Sequence, residues 1–523
     1  LVTNHVESLR LQNFNVKEIY MQKKLIALAI AGLSGAAFAQ SNVTVYGVAD
    51  VNFEFTSGSG GSPIGTALAN SGSSVGSGAG VAASANTAVT GMSSKNRIGS
   101  NASYFGLKGA EDLGGGMKAV YQIENELDIS GATGNTRPTG LANRDSFVGL
   151  AGSFGTVAAG WLSSPHRSMA AKFDLMPGAA GAGSSLNIIG RINVGSALNP
   201  MSPNGQTTHR FGNSTFTPST TVSTGGNQMT IAGTAEAVAN NVGIIGRHSA
   251  IAYISPNFNG FQGTIAYVAN ETKDNNALGT SATNNSLTSA NNAYGQRDPK
   301  AWNVKFDYDN GPLSLGYSYL DIKDFGVLGG LTALSGSQVG TPTNNGANGG
   351  LQTLDLSGKE STKAHLFGAK YTFGGATTVS FMYDRTKTTL QDGPNATANY
   401  IGDVTVKRSN WYLGLKHSMG AHDFTAAYAK AGKNSVNMGS RTAIFTAGSD
   451  FEGGSDANMW TLRYGYNFSK RTSAYAQYAT IRNGSNASFD FTPGSTPVMG
   501  TGNGGVTAGA DPTIWSFGVR HNF

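Results

Sequence analysis

Segments of about ten residues, in which apolar and polar side chains alternate, recur along most of the chain. In WNVKFDY, residues 302–308, a Trp, a Val, a Phe and a Tyr occupy every second position, with Asn, Lys and Asp between them. This period of two predicts a β-strand with one apolar and one polar face. No apolar stretch of 18 or more residues follows residue 39, which excludes a membrane protein built from helices. The sequence therefore predicts an all-β protein.

The connections between these segments alternate between short turns and long polar loops. Short turns rich in Gly, Asn, Asp and Ser join seven pairs of segments, at 111–116, 153–155, 255–260, 309–312, 373–375, 419–420 and 469–471. The long connections are 57–96, 162–246, 271–299, 321–363, 385–408, 431–457 and 483–511. With an opening strand over 42–55 and a closing strand over 513–523, the predicted total is sixteen strands. This strict alternation favours a closed antiparallel barrel with short turns at one rim and long loops at the other.

The direction of the apolar faces decides between a soluble and a membrane barrel. Sixteen strands enclose a space too wide for side chains to fill. The polar faces also carry charged residues such as Lys305, Asp307 and Lys416, which cannot all lie in a dry core. We therefore expect the apolar faces to meet lipid and the polar faces to line a water-filled channel. The closing strand, which ends on Phe523, pairs with the first strand in this arrangement.

The first forty residues have the pattern of an export signal. Lys23 and Lys24 precede an apolar run that ends in the small-residue triplet Ala37-Phe38-Ala39. This pattern predicts a secretory signal peptide over 21–39, cleaved after Ala39. We interpret residues 1–20 as an upstream over-extension of the reading frame and 40–523 as the barrel. Removal of 1–39 lowers the formal net charge from +6 to +4, because four basic and two acidic residues leave.

Other function classes find little support in the composition. The chain has no cysteine, which excludes disulfides, thiolate metal sites and a Cys nucleophile. Its Lys and Arg residues form no basic run, so nucleic acid is not an expected partner. The histidines lack metal-ligand spacing, and the GSSVG motif at 72–76 lies in a low-complexity loop instead of between a strand and a helix. We expect no catalytic residue, no metal site and no cofactor.

Several stretches together resemble a known family. They are NVTVYGVADVNFEF, YFGLKGAEDLGGGMKAVYQIE, RDSFVGLAGSFGTVAAGW, ISPNFNGFQGTIAY and the closing VRHNF. The set resembles the general diffusion porins of Gram-negative outer membranes, which are sixteen-stranded trimers. The resemblance implies an outer-membrane channel for passive diffusion of ions and small hydrophilic solutes, a homotrimer, and contact with outer-membrane lipid and lipopolysaccharide. It also implies that Phe523 belongs to the signal read by the outer-membrane insertion machinery.

The resemblance further implies a constriction inside the barrel. In the family, the third long loop folds into the lumen, and acidic residues on it face Arg and Lys on the wall. Here that loop starts after Trp161, and Asp174 is its only acid before Glu236. We expect 180–240 to lie outside the pore. The expected wall residues are Lys118, Arg97, Lys108, Arg144 and Arg463, of which Lys118 and Arg463 point inward by alternation.

Two points of function are left open by the sequence. The low acid content of the loop and the charge of +4 favour a weak preference for anions. A barrel adhesin or receptor that acts through its long loops is an alternative, and its lumen could be sealed. A barrel enzyme would need a convergent Ser, His and Asp set near the rim, and the sequence offers none. An absence of conductance in planar bilayers would favour the adhesin, and loss of a hydrolytic activity on mutation of one loop His would support the enzyme.

Overall fold

The computed structural model describes most of the predicted strand segments. The described residues are 42–60, 94–127, 129–130, 141–191, 219–224, 227–232, 246–269, 298–324, 360–391, 403–437, 453–485, 487, 489–491 and 509–523. The predicted signal peptide at 21–39 and the residues before it lie outside these ranges, so their assignment stays a prediction. No helix within the described ranges is long and apolar enough to cross a bilayer.

Eighteen strands form one antiparallel sheet that closes on itself through pairing of the last strand with the first. Of the twenty strands described, two, β7 (Ser219–Thr224) and β8 (Asn227–Ala232), form a separate hairpin. The barrel strands are β1 (Asn42–Gly60), β2 (Lys95–Ser100), β3 (Tyr104–Gly114), β4 (Met117–Glu126), β5 (Ser146–Gly152), β6 (Gly155–Ser163), β9 (Arg247–Ile254), β10 (Phe261–Val268), β11 (Lys300–Asn310), β12 (Leu313–Lys323), β13 (Glu360–Phe373), β14 (Thr377–Leu390), β15 (Val404–Met419), β16 (His422–Ala431), β17 (Ser435–Asn437), β18 (Ala457–Asn467), β19 (Thr472–Asn483) and β20 (Ala510–Asn522).

The predicted count of sixteen strands is confirmed once two interruptions are recognised. Strands β2 and β3 both pair with β1, so they count as one barrel strand that is interrupted at 101–103. Strands β16 and β17 both pair with β15 and form another. Each neighbouring pair in the barrel is antiparallel, as predicted, and all seven short turns overlap their expected positions. The largest difference is at 111–116, where β3 continues to Gly114 and leaves a turn of only two residues. The closed sixteen-stranded barrel follows.

Several strands extend further toward the long-loop rim than the sequence pattern predicted. Strand β1 continues to Gly60, and β2 begins at Lys95, inside the connection predicted over 57–96. Likewise β14 continues to Leu390 and β15 begins at Val404, inside the predicted connection over 385–408. These extensions lack apolar alternation because their outward faces rise above the hydrocarbon region, where polar side chains can meet water.

The apolar faces point outward, as expected for a barrel in lipid. On β1, Phe53 and Phe55 are 39% and 44% exposed, whereas Asn52 and Glu54 between them are 3% and 0% exposed. Outward aromatic pairs lie at two levels. On β10 and β11, Phe261 stacks near Tyr308 close to the short turns, and Tyr267 near Trp302 close to the long loops, with ring centroids 4.3 and 4.5 Å apart. These levels correspond to the aromatic girdles at the two interfaces of a membrane.

The last residue takes part in closing the barrel. The Gly47 N–H donates to the Phe523 carbonyl over 3.0 Å, and the Phe523 N–H donates to the Gly47 carbonyl over 3.1 Å. A Cβ at position 47 would overlap the Phe523 ring and the Tyr104 carbonyl, so glycine is needed there. The terminal aromatic residue is thus held by backbone pairing and by a fitted surface on β1.

The loop after β6 folds into the barrel, as predicted. It contains α1 (Pro165–Phe173) and short 3-10 turns at Pro177–Ala179 and Ser185–Asn187, and we call residues 164–191 the lumen loop. The expectation that 180–240 lie outside the pore is wrong for 180–191, because Ile188 and Ile189 are fully buried against the barrel interior. Of the rest of that range, only β7 and β8 are among the described residues.

Candidate functional site: the lumen and its loop

The helix of the lumen loop starts at a cap and a buried histidine. Ser164 accepts a hydrogen bond from the Arg167 N–H over 3.1 Å, and Pro165 occupies the first helical position, where its missing N–H costs nothing. The His166 N–H donates to Asn303 Oδ1 over 2.7 Å, and its Nδ1 lies 3.2 Å from Ser318 Oγ. Burial lowers the pKa of His166 to about 3, so the ring is neutral at physiological pH. The helix therefore begins anchored to β11 and β12.

The other end of α1 is held by an aromatic ring and an ion cluster. Phe173 is fully buried against Gly316 and Gly368 on the inward face of β12 and β13, and a Cβ at either glycine would overlap its ring. Lys172 Nζ lies 3.0 Å from Asp307 Oδ1 and 2.8 Å from Asp309 Oδ2. The two glycines form a notch in the wall, in which the Phe173 ring lies against the backbone of β12 and β13.

Asp174 lies inside the loop and does not line the lumen as a free charge. It is 8% exposed, and its carboxylate accepts hydrogen bonds from the Met176 N–H, the Ser184 hydroxyl and both the N–H and hydroxyl of Ser185, over 2.7 to 2.9 Å. Burial raises the pKa of this carboxyl, against the lowering effect of these bonds. The expectation of Asp174 as a lumen charge is corrected accordingly: it fixes the turn that follows α1.

The second half of the lumen loop is held against β14, β18 and β20. The Gly190 N–H donates to Asp384 Oδ2 on β14 over 2.9 Å, and Thr461 on β18 donates to the Gly183 carbonyl. Gly178 comes so close to Arg520 on β20 that a Cβ there would lie 3.4 Å from the guanidinium. The loop is thus attached on several sides and narrows the barrel interior.

The exposed face of the lumen loop carries no acid. Ser168 and Ala171 on α1, followed by Pro177 and Gly178, are its exposed residues. They are small and neutral, and they face away from β11 to β14, on which the helix packs. An acidic loop facing a basic wall, the arrangement implied by the resemblance, is therefore not present in the described part of this loop.

On the barrel wall, acidic side chains are buried, and the basic side chains that pair with them are nearer to the lumen. Arg97 Nε lies close to Glu54 Oε2, and the arginine side chain is 25% exposed while the glutamate side chain is 0% exposed. Arg520 pairs with Asp50 over 3.1 Å, with exposures of 12% and 4%. In both pairs the inward-facing cation lies between its carboxylate and the lumen water.

Three arginines converge where the lumen loop begins. Arg144 lies 3.3 Å from Glu124 and over the Tyr104 ring, and Arg247 lies 3.1 Å from Asp145. Burial, together with the charges of Arg247 and Arg144, lowers the pKa of Arg167 to about 10. The charges of Arg144 and Arg247 act on Arg167 in addition to its burial, while Asp145 and Glu126 oppose them, so basic and acidic groups form one cluster where the lumen loop begins.

The other predicted wall residues are inward but differ in setting. Lys108 is exposed on β3, with its Nζ 4.8 Å from the Tyr46 ring centroid. Arg463 on β18 lies over the Tyr475 ring at 3.6 Å. Lys118 is exposed on β4, one residue from the short turn, and lies at that rim away from α1. Within the described residues, neither Lys108 nor Lys118 has a carboxylate partner.

Sequence reasoning missed three members of this wall. Arg520 and Asp50 occupy polar positions on the last and the first strand. Because the sequence predicts that these two strands pair, it could also have placed the two residues side by side. Arg247 lies at the start of β9, at the edge of a long loop, where alternation gives no direction. Its pairing with Asp145 depends on contact between β6 and β9 across 83 intervening residues, and no sequence pattern signals that contact.

The side chains that line the lumen suit contact with ions and water, and those among the described residues do not converge on a reactive centre. Among the described residues, no group of three His, Asp or Glu side chains could hold a metal ion. Many inward polar groups are paired in hydrogen bonds and ion pairs, and these pairs are spread around the wall instead of converging on one point. Such a surface can attract and guide charged solutes.

A family model described as Gram-negative porin matches residues 25–486. The chain belongs to the Gram-negative porin family. This membership places the porin in the outer membrane, among channels and not enzymes.

The relatives of this porin agree with that assignment. It is 27% identical over 504 residues to outer membrane porin protein 32 of Delftia acidovorans, covering 96% of this chain and 100% of the relative. It is 26% identical over 262 residues to major outer membrane protein P.IA of Neisseria meningitidis serogroup C, covering 49% of this chain and about half, 51%, of that relative. In structure it is similar to an anion-selective porin from Comamonas acidovorans, with a TM-score of 0.54, 21% identity, and coverage of 92% and 100%.

Proposed function

We propose that this porin is a passive channel for ions and small hydrophilic solutes that prefers anions. The observation that carries the preference is the order of charges on the wall, where Arg97 and Arg520 lie between buried acids and the lumen. A solute in the lumen is therefore closer to the cations, and in water a Coulomb interaction falls with distance. The exposed face of α1 is neutral, so it adds no acidic side chain that would offset the effect of these cations on a solute.

Two further points support the proposal. Lys108 and Lys118 add exposed positive charges to the same wall. The solved structure that this chain resembles is described as anion-selective, although at 21% identity the likeness itself speaks only for the fold. No energy source is required, because the passage rate depends on the pore radius and the wall charge.

We expect the double variant Lys108→Gln and Lys118→Gln to lose part of its anion preference. These two side chains are exposed and have no carboxylate partner among the described residues, so neutralising them leaves no buried acid unpaired. A unit charge about 7 Å from an ion is worth about 0.6 kcal/mol in water. At about 0.1 M salt, where the screening length is about 10 Å, we therefore expect the chloride-to-potassium permeability ratio to fall by about two- to fivefold. The measurement is the reversal potential in a KCl gradient across a planar bilayer.

The control is the variant pair Lys108→Arg and Lys118→Arg, which keeps both charges and should keep the wild-type reversal potential. A wild-type channel with clear cation preference would refute the proposed preference. So would a permeability ratio that is the same in the Gln and Arg variants.

We also propose a homotrimer that is assembled through the outward face of β1 to β6. Small outward residues, including Ala49, Gly109, Ala119 and Ala159, would allow neighbouring barrels to approach closely. Contacts with outer-membrane lipid on the remaining circumference, and with the insertion machinery during assembly, belong to the same proposal. The mass of the detergent-solubilised complex tests the trimer, and a monomer would contradict it.

The proposed role of Phe523 as an assembly signal can be separated from its packing role. Phe523→Ala removes the ring from its site on Gly47, and Gly47→Val disturbs the same site but leaves the terminal residue intact. If the terminal aromatic residue is read during insertion, Phe523→Ala lowers the amount of barrel assembled in cells more than its refolding into detergent in vitro. Gly47→Val should lower both alike. Equal behaviour of the two variants in both assays would reduce Phe523 to a packing residue.

A further inference from the structure

A tyrosine on the lumen wall lies among charged side chains. Tyr475 points inward on β19 and is only 5% exposed. Its register partner on β20 is Gly518, where a Cβ would overlap the tyrosine ring. Because this position has no side chain, the ring lies across β20 and its hydroxyl reaches side chains on β1.

The Tyr475 hydroxyl joins a carboxylate to an amide. It donates a hydrogen bond to Asp50 Oδ1 over 2.8 Å and accepts one from Asn101 Nδ2 over 2.7 Å. The other carboxylate oxygen, Asp50 Oδ2, accepts a hydrogen bond from Arg520 over 3.1 Å. The guanidinium of Arg463 lies over the face of the ring, 3.6 Å from its centroid. We call these five residues the tyrosine network.

The lumen loop contacts this network at two points. Gly178 faces Arg520, and a Cβ at Gly181 would lie 2.9 Å from Asn101 Oδ1, closer than side chains normally approach. Both glycines have a positive φ, of +71° and +81°. A change in the network therefore reaches the loop as well as the charges of the wall.

The hydroxyl decides which groups share the buried carboxylate. Asp50 is 3% exposed, so its oxygens need donors. Tyr475 supplies a neutral donor to one oxygen, and Arg463 stays on the ring face, where its NH1 donates to Gln477 Oε1 over 3.3 Å. Among the described residues, Arg463 has no carboxylate within ion-pair distance. Without the hydroxyl, we expect a guanidinium to take its place on Asp50, because a charged donor binds a carboxylate more strongly than an amide does.

Such a shift would move positive charge away from the lumen. Arg463 is half-buried, and the Arg520 side chain is 12% exposed, so both guanidinium groups are within reach of lumen water in the present arrangement. A guanidinium drawn onto Asp50 would lie against an acid and further from a passing anion. Its Coulomb attraction for that anion falls with the distance between them.

We propose that Tyr475 is a positioning residue for anion passage, whose hydroxyl occupies Asp50 and so keeps Arg463 and Arg520 directed into the lumen. The inference rests on the anion preference of the proposed function and names a neutral side chain that maintains it. Tyr475 need not touch the solute, since it acts through the two arginines.

The test is Tyr475→Phe, which keeps the ring beneath Arg463 and removes only the hydroxyl. We expect its chloride-to-potassium permeability ratio to be about twofold lower than in wild type, since moving one unit charge from about 4 Å to about 7 Å from an ion changes the local ion concentration by about that factor. The measurement is the reversal potential in a KCl gradient across a planar bilayer. The matched control is Tyr478→Phe, the same change on the outward face of β19, where the ring centroid lies 4.8 Å from that of Trp515. This control should keep the wild-type ratio.

A neutral background shows whether the tyrosine acts through the charges. It carries Asp50→Asn, Arg463→Gln and Arg520→Gln, which remove the three charges of the tyrosine network. In this background, the addition of Tyr475→Phe should leave the permeability ratio unchanged, because the effects of residues that act through one another are not additive. A twofold fall in the neutral background as well would show a purely structural role and overturn the proposal. Equal ratios for Tyr475→Phe and wild type would also overturn it.

A second pair of variants displaces the hydroxyl without removing it. Gly518→Ala puts a Cβ where the Tyr475 ring lies, and we expect it to lower the ratio as Tyr475→Phe does. Gly465→Ala is its control, because this register partner of Tyr475 on β18 has room for a Cβ, with the nearest contact 3.6 Å away. Should Tyr475→Phe fail to fold, as judged by heat-modifiable mobility in gels, this pair decides, and equal ratios for its two members would contradict the proposal.

These measurements separate the inference from the proposed function. A wild type that prefers cations refutes the proposed anion preference. The role of Tyr475 is judged instead by the difference between Tyr475→Phe and wild type, and by the loss of that difference in the neutral background. An anion-selective wild type with an unchanged ratio in Tyr475→Phe refutes the inference alone.

Discussion

Replacement of Phe173 by Ala is expected to release the lumen loop from β12 and β13. The ring is fully buried in the notch formed by Gly316 and Gly368, and truncation leaves a cavity that neither glycine can fill. Truncating a buried Phe to Ala costs about 3 to 5 kcal/mol. That cost lowers the ratio of docked to undocked loop by about two to four orders of magnitude, at about 1.4 kcal/mol for each factor of ten. Single-channel recordings should then show a larger, noisier current, and a protease should cut within 164–191 faster than in wild type.

A matched control separates loop release from general damage to the barrel. Phe367→Ala removes the same side chain from the outward face of β13, where the ring is 43% exposed and touches no part of the loop. This variant should keep the wild-type current and protease resistance. If Phe173→Ala also keeps both, the ring does not hold the loop and the account of its docking is wrong.

The barrel could be predicted from the sequence because lipid imposes a simple rule on each strand. Outward positions must be apolar, and lumen positions are free to be polar, so alternation marks every membrane-crossing segment. The rule no longer applies where a strand leaves the hydrocarbon region, because outward positions there can be polar. Lys387 and Lys407 lie on regular strands but were placed in a predicted loop, because their outward neighbours are polar.

The lumen loop could be predicted only in part. A Ser followed by Pro at 164 and 165 is a recognisable start for a helix. The partners that dock α1 cannot be read from it, since Gly316 and Gly368 lie more than 140 residues further along the chain. The role of Asp174 was misjudged because a charge count says nothing of direction. One of its four hydrogen bonds comes from Met176, and the other three come from Ser184 and Ser185, ten and eleven residues further along the loop.

Covalent modification of a cysteine placed at Ala171 tests the central claim, a wet lumen narrowed by the loop. The chain has no cysteine, so Ala171→Cys gives a single reactive site on the exposed face of α1. Leu462→Cys, on the lipid-facing side of β18, is the matched control, because its position is 54% exposed but turned toward acyl chains. A charged, membrane-impermeant thiol reagent should react with the first and not with the second in a bilayer.

The deciding measurement is the current through the Ala171→Cys channel in a planar bilayer while this reagent is added. The account predicts an open channel whose current falls in discrete steps as the reagent attaches inside the lumen, with no such steps for Leu462→Cys. A protein that inserts but conducts no ions, or a current that stays unchanged when the introduced thiol is fully modified, would contradict it.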